Sequence, residues 1–200
     1  MVKIYPKLYE DTLVGKVRTF MGFSKKDPND IADSLRPEYQ GDYSLLNLVG
    51  MGEATISTAQ SQRPVIGSVG MGPCVAMAGY DHNQKIGFVS HNGVGDYVGV
   101  LHALILKELR KKLKSELGMD IYIVGGMIGS GELASRLRNI ARENFNPRII
   151  NEDLALNVSD WTYLGKYFLL DVRDGAIYSI DGGGQLQYVP QAEPRISLGK

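Results

Sequence analysis

Five short apolar runs, at 45–49, 53–58, 65–68, 75–80 and 86–90, follow one another with glycine-rich turns between them. Runs this short cannot hold a helix in water. Their content of Val, Ile and Tyr suits a pleated, half-buried surface, so the front of the chain is constrained to form sheet. The last two runs are joined by Asp81-His82-Asn83-Gln84, polar residues that favour a tight turn, and they are expected to pair as a hairpin.

Past that hairpin the apolar period changes. Leu101, Leu104, Ile105, Leu109, Leu113 and Leu117 recur at three- and four-residue spacing, which predicts a helix over 97–117, with Gly118 as its stop. Residues 121–124 form a continuous apolar run ending in Gly125-Gly126, as a buried strand does. A second helix is expected over 131–145, with Ser130 as its N-cap and Pro147 just past its end, followed by a strand at 148–150. Runs at 167–172, 176–180 and 186–189, parted by Asp174-Gly175 and a glycine turn at 182–184, predict a terminal antiparallel meander. Strands, two helices and strands again make an α+β domain. Residues 1–44 are polar, with a turn-forming cluster from Lys25 to Asp30; they are expected to be an N-terminal extension with a short helix near 28–35, and 45–200 a single domain.

Composition narrows the function. Lys plus Arg and Asp plus Glu each number 22, and this neutral balance lacks the basic excess of a nucleic-acid binder. The basic run at 107–114 is interleaved with Leu, as on a solvated helix face. A single cysteine excludes an internal disulfide and a zinc site built on paired cysteines. Such a thiol is at home in a reducing compartment. With no secretory pattern at the start and no bilayer-length apolar run, the expectation is a cytoplasmic protein, or an effector exported without a signal, that does not enter a membrane. Glu152, Asp153, Asp171, Asp174 and Asp181 are scattered over turns without metal-ligand spacing, so neither a metal nor an organic cofactor is expected.

Chemistry concentrates in Val65-Ile-Gly-Ser68-Val-Gly70-Met-Gly72-Pro73-Cys74-Val75-Ala, followed by Gly87-Phe-Val-Ser-His91-Asn92. A cysteine entering a strand behind a glycine turn sits on bent backbone that can present its sulfur. Glycines remove bulk, so a substrate carbonyl can approach main-chain N–H groups; Gly70, Gly72 and Val75 are the backbone positions expected to form the oxyanion hole. A free thiol has a pKa of about 8.5, and an adjacent imidazole makes it a nucleophile by taking its proton. The hairpin brings His91 to the end of the ladder where Cys74 begins. Ser68 ends the preceding strand and can orient the second imidazole nitrogen. A lone cysteine is also a common core residue, so spacing alone leaves packing as the competing role. His82 falls in the turn and His102 on the first helix, which makes both weaker candidates. Asn92, Gly93, Gly125 and Gly126 are the expected substrate loop. Gly125-Gly126-Met-Ile-Gly129-Ser-Gly131 has neither the Lys-Ser/Thr ending of a P-loop nor a dinucleotide fingerprint, and reads as a tight turn or close backbone approach.

Val49-Gly-Met-Gly-Glu53, Ser68-Val-Gly-Met-Gly-Pro-Cys74-Val-Ala and Gly87-Phe-Val-Ser-His91, in that order, resemble the CheD family of chemoreceptor glutamine deamidases over about half the chain. The resemblance implies Cys74 as nucleophile, His91 as base and Ser68 as the residue orienting His91. It also implies a layered α/β/β/α sandwich with mixed sheets, related to cytotoxic necrotizing factor-type deamidase toxins. The implied reaction converts a protein glutamine to glutamate with release of ammonia. The partner is a glutamine-bearing protein substrate, in that family a chemotaxis receptor. Ser68 stands where that family usually has threonine, Pro73 precedes the cysteine, and the segment after His91 is shorter. Two other functions use the same residues: a cysteine peptidase or transglutaminase-like acyl transferase, and a non-catalytic protein-interaction module of the same fold. Iodoacetamide alkylation of Cys74 separates a working pair from packing. Its pH midpoint is expected well below about 8.5 in the wild type and back near that value in His91→Ala.

Overall fold

The computed structural model describes residues 2–4, 42–93, 98–113, 118–156, 166–181 and 185–188. Within them lie two mixed sheets and two helices, the α+β composition that the run lengths predict. Strands are numbered in chain order. One six-stranded sheet runs β1 (Val2–Ile4), β3 (Ala54–Thr58), β6 (Ile86–Asn92), β5 (Val75–Asp81), β7 (Met119–Gly125), β8 (Pro147–Leu154). A five-stranded sheet runs β11 (Gln185–Tyr188), β10 (Ala176–Asp181), β9 (Lys166–Asp171), β4 (Val65–Met71), β2 (Leu46–Val49). Neighbours are antiparallel except β7 with β8 and β2 with β4.

Period-two alternation in the central strands sorts side chains between two cores. Val75 and Met77 of β5, with Ile86 and Phe88 of β6, face α1 (Val98–Lys112) and α2 (Gly131–Asn144). Ala76, Ala78 and Tyr80, with Val89, face Ile66, Met71, Phe168 and Leu170 of the second sheet. The layers are therefore helices, six-stranded sheet, five-stranded sheet. Gly79 shows how tight the helix-side layer is: a Cβ there would overlap the ring of Phe88, which stacks on Phe145 at 4.9 Å between centroids.

Several local expectations change. Val2–Ile4 pairs with β3 as an edge strand, so the start of the expected extension belongs to the sheet. Adding an edge strand takes backbone hydrogen bonds and little side-chain pattern, which is why three residues carried no signal. The expected helix at 28–35, the last turn of the first helix at 114–117 and the turn at 182–184 lie outside the described residues. Strand β4 continues past Ser68 to Met71 through a β-bulge, where Gly70 adopts φ +70°. Ser130 does not cap α2 with its side chain. No described helix is long and apolar enough to cross a membrane.

A buried polar chain fixes α1 to the strand that ends in the predicted base. His102, 1% exposed, donates from Nδ1 to the Val98 carbonyl at 2.7 Å. Its Nε2 is then an acceptor 3.0 Å from the Ser90 hydroxyl, whose single hydrogen is shared with the Met77 carbonyl at 3.1 Å. Ser90 Oγ in turn accepts from Asn92 Nδ2 at 3.1 Å. Burial opposes the charged form and pushes the His102 pKa down to about 4 from 6.5, against the smaller upward pull of its bond to Val98. The unfolded chain therefore binds the proton first. This contribution to stability is complete above pH 6.5 and is lost as pH falls toward 4. Chemical denaturation at stepped pH is expected to show His102→Gln losing about 3 kcal/mol less than wild type across that window.

Candidate active site

The chain twice crosses from the five-stranded sheet to the six-stranded one: between β2 and β3, and between β4 and β5. The first crossing bends at Gly52, φ +79°, and the second follows the bulge of β4 at Gly70, φ +70°, a conformation that other residues adopt at a cost. Val49, Ser68, Cys74 and His91 all lie at or beside these crossings. Short crossings leave the end of each strand facing the layer between the sheets, so residues from different sheets meet there.

Ser68 and His91 meet across that layer. Ser68 Oγ lies 2.7 Å from His91 Nδ1 and 2.8 Å from the Val49 carbonyl oxygen. A carbonyl only accepts, so the single hydroxyl hydrogen goes to Val49. Ser68 Oγ is left as acceptor toward the ring, and Nδ1 must carry the imidazole hydrogen. The lone pair of neutral His91 is then on Nε2, the arrangement a general base requires. Both residues are buried, Ser68 at 0% and His91 at 4% exposure, so water does not compete for the bond.

Backbone contacts hold His91 from the other side. Its N–H donates to Glu53 O at 3.0 Å and its carbonyl accepts from Gly52 N at 2.8 Å. The Glu53 carboxylate closes that turn by accepting from Gly50 N at 3.0 Å. The glutamate of the Val49–Glu53 motif is thus the brace of the turn on which His91 rests.

Ladder register sets the relation to the cysteine. Ala76 is directly opposite His91, and Cys74 stands two residues before Ala76. Cys74 immediately precedes β5, so it lies one step beyond the last paired residues, Val75 and Asn92, at that end of the ladder. Cys74 is 8% exposed.

The cysteine turn is held from behind by the loop between β7 and α2. Gly126 N donates to the Cys74 carbonyl at 2.9 Å, and Ser130 Oγ to the Pro73 carbonyl at 3.0 Å. Gly125 has φ +106°, and a Cβ on it would lie 2.7 Å from Met71 Cβ and 2.9 Å from Cys74 O. The close backbone approach expected of this glycine-rich loop is therefore made to the cysteine turn.

Other predicted positions sort accordingly. Gly126 bonds Cys74 O, and strand hydrogen bonds alternate in direction, so the Val75 amide is turned toward Asn92 within the ladder. Of the other expected positions, Gly70 lies in the bulge of β4 and Gly72 in the turn before Cys74. Asn92 is fully buried and its Nδ2 donates to Val75 O at 3.0 Å, so it ties two strands together where a substrate-facing side chain was expected. Gly125 and Gly126 likewise serve the turn as a back wall, and Gly93 is buried beside Asn92. His102 faces the helices with Ser90, on the opposite side of β6 from His91. His82 pairs with Asp120 at 2.8 Å at the far end of β5. Neither joins the site. Among the described residues no group of three or more His, Cys, Asp or Glu could hold a metal ion. Sequence reasoning passed over Ser130 and the Val49 carbonyl: the first looked like a helix cap, and a backbone acceptor carries no side-chain signal.

No protein-family model matches the chain, and a search of curated proteins returns no significant match.

Removing the Ser68 hydroxyl leaves Nδ1 without its acceptor and frees the ring to take the other tautomer. Ser68→Ala is expected to slow Cys74 alkylation at neutral pH by about tenfold, within the range that general-base catalysis supplies, whereas Ser68→Thr keeps it within about twofold. Equal rates in all three proteins would show that Ser68 does not orient the base.

Proposed function

We propose that the chain is a thiol-dependent amide hydrolase that deamidates glutamine side chains of a protein. The observation that carries this is the Ser68 hydroxyl, committed to Val49 O, holding His91 Nδ1 at 2.7 Å at the end of the ladder where Cys74 immediately precedes β5. His102 holds the same tautomer within the helix-side core; His91 differs in facing the second sheet, at the end of the ladder where the cysteine strand begins.

In the proposed reaction His91 Nε2 takes the Cys74 proton and the thiolate attacks the carboxamide carbon. The tetrahedral oxyanion is met by backbone amides of the cysteine turn; Pro73 has none to give. Collapse breaks the C–N bond, and the imidazolium gives its proton to the leaving ammonia. His91 then draws a proton from water, whose oxygen attacks the thioester, releasing glutamate and restoring the thiol. No step calls for an organic cofactor.

The choice of a protein glutamine comes from the resemblance of the three motifs to the CheD family. The helices, six-stranded sheet and five-stranded sheet described here are compatible with three layers of that family's α/β/β/α sandwich. Apolar side chains beside the site favour a macromolecular substrate. Ile128 is 56% exposed in the loop behind Cys74, and Leu156 is 39% exposed and within 3.4 Å of where a Cβ on Gly126 would be. A reducing, cytoplasmic setting suits the single thiol.

Ammonia release from glutamine-bearing proteins, chemoreceptor fragments among them, tests the proposal. Cys74→Ala and His91→Ala are each expected to lower the rate by a factor of about 10³ or more. Full activity in Cys74→Ala would refute it. Incorporation of an added primary amine in place of hydrolysis would reassign the chain as an acyl transferase.

A further inference from the structure

The loop between β7 and α2 touches the nucleophile turn through two carbonyls in succession. Ser130 Oγ donates to Pro73 O at 3.0 Å, and Gly126 N donates to Cys74 O at 2.9 Å. Ser130 is 3% exposed, and its oxygen also accepts from Met127 N at 3.1 Å, so its only hydrogen is left for Pro73. The hydroxyl that a helix N-terminus would have used as a cap is spent on the cysteine turn instead.

Peptide planarity carries this anchoring to the reacting centre. No peptide bond among the described residues is cis, and in a trans peptide the C=O and the following N–H point in opposite directions. Holding Pro73 O against the loop therefore turns the Cys74 N–H away from it. Holding Cys74 O does the same for the Val75 N–H, in agreement with the register that turns that amide toward Asn92. β7 and β6 flank β5 on opposite sides, and the Val75 amide, turned away from the loop after β7, faces β6. Pro73 supplies no N–H of its own, which leaves the Cys74 amide as the donor beside the sulfur. A rotation of the Pro73–Cys74 peptide would remove that donor and put a carbonyl oxygen in its place.

We propose that Ser130 is a positioning residue for the nucleophile: by holding the Pro73 carbonyl it aims the Cys74 amide at the oxyanion. The proposal rests on the thiol amidase reading of Cys74 and His91. Ser130 itself touches neither substrate nor sulfur in this scheme.

Two reagents applied to the full chain separate this role from a structural one. p-Nitrophenyl acetate acylates a cysteine through a tetrahedral oxyanion, whereas iodoacetamide alkylates it by direct displacement with no oxyanion. The ratio of the two rates at Cys74 reports oxyanion stabilisation independently of thiol ionisation. S130A is expected to lower the ratio by about tenfold or more, up to the factor of about 10² seen when an oxyanion donor is lost, with the pH midpoint of alkylation unmoved. S130T keeps the hydroxyl and is expected to restore the ratio. A wild-type ratio in S130A would overturn the proposal. So would equal falls in both rates, because the whole turn would then have loosened, and so would a ratio that S130T fails to restore while its alkylation stays normal. A wild-type Cys74 that titrates and acylates like a free thiol would remove the amidase reading itself, and this proposal with it.

Discussion

The hydrogen bond from His91 Nδ1 to Ser68 Oγ spans the two sheets, and most of what is distinctive at the site depends on it. It works because the Ser68 hydrogen is already engaged with Val49 O, a carbonyl on the neighbouring parallel strand β2. Three elements thus fix one imidazole: β6 carries it, β4 accepts from it and β2 holds the acceptor. A buried hydroxyl pinned in this way costs little further entropy when the ring is oriented, and exclusion of water strengthens each bond in the chain. Were Ser68 free to rotate, its hydrogen could face Nδ1 and the ring would take the other tautomer.

That bond also requires the sheets to be held in register at this end. The two crossings supply the restraint, because a few residues between strands of different sheets leave little freedom for one to slide past the other. Gly52 and Gly70 provide the positive φ at the bends. The Glu53 carboxylate on Gly50 N stiffens the first, and the loop carrying Gly126 and Ser130 backs the second. The site is thus built from backbone geometry to an unusual degree, with few side chains whose identity is chemical.

The other face of β6 shows the same economy for a different purpose. Ser90 and His102 repeat the serine–histidine contact of Ser68 and His91 one residue away and on the opposite side of the strand. There the ring is enclosed by helix α1, its Nδ1 is bonded to Val98 and its Nε2 to Ser90, so both nitrogens are occupied within the core. One pair locks a helix to a sheet. The other joins the two sheets at the end of the ladder where the cysteine strand begins. Residue type and contact distance alone do not separate the two roles; the face of the strand does.

Sequence by itself determined every described strand but Val2–Ile4, because short apolar runs between glycines have no other stable form; it determined the first helix through the spacing of its leucines and the second through Ser130 and Pro147 at its ends. The hairpin between β5 and β6 followed from Asp81 to Gln84, and with it the approach of His91 to the start of the cysteine strand. Tertiary structure alone decided which strands share a sheet, since side-chain alternation shows that a strand has two faces without naming what covers each. It decided that Val49, some twenty residues before Ser68, supplies the acceptor that fixes the tautomer. It also moved Asn92, Gly125 and Gly126 from an expected substrate loop to the support of the turn, and Ser130 from a helix cap to the Pro73 carbonyl. Those roles are hydrogen bonds between backbone groups and residues far apart in the chain. Their donors and acceptors occur at every position, so only distance in the folded molecule distinguishes the ones that meet.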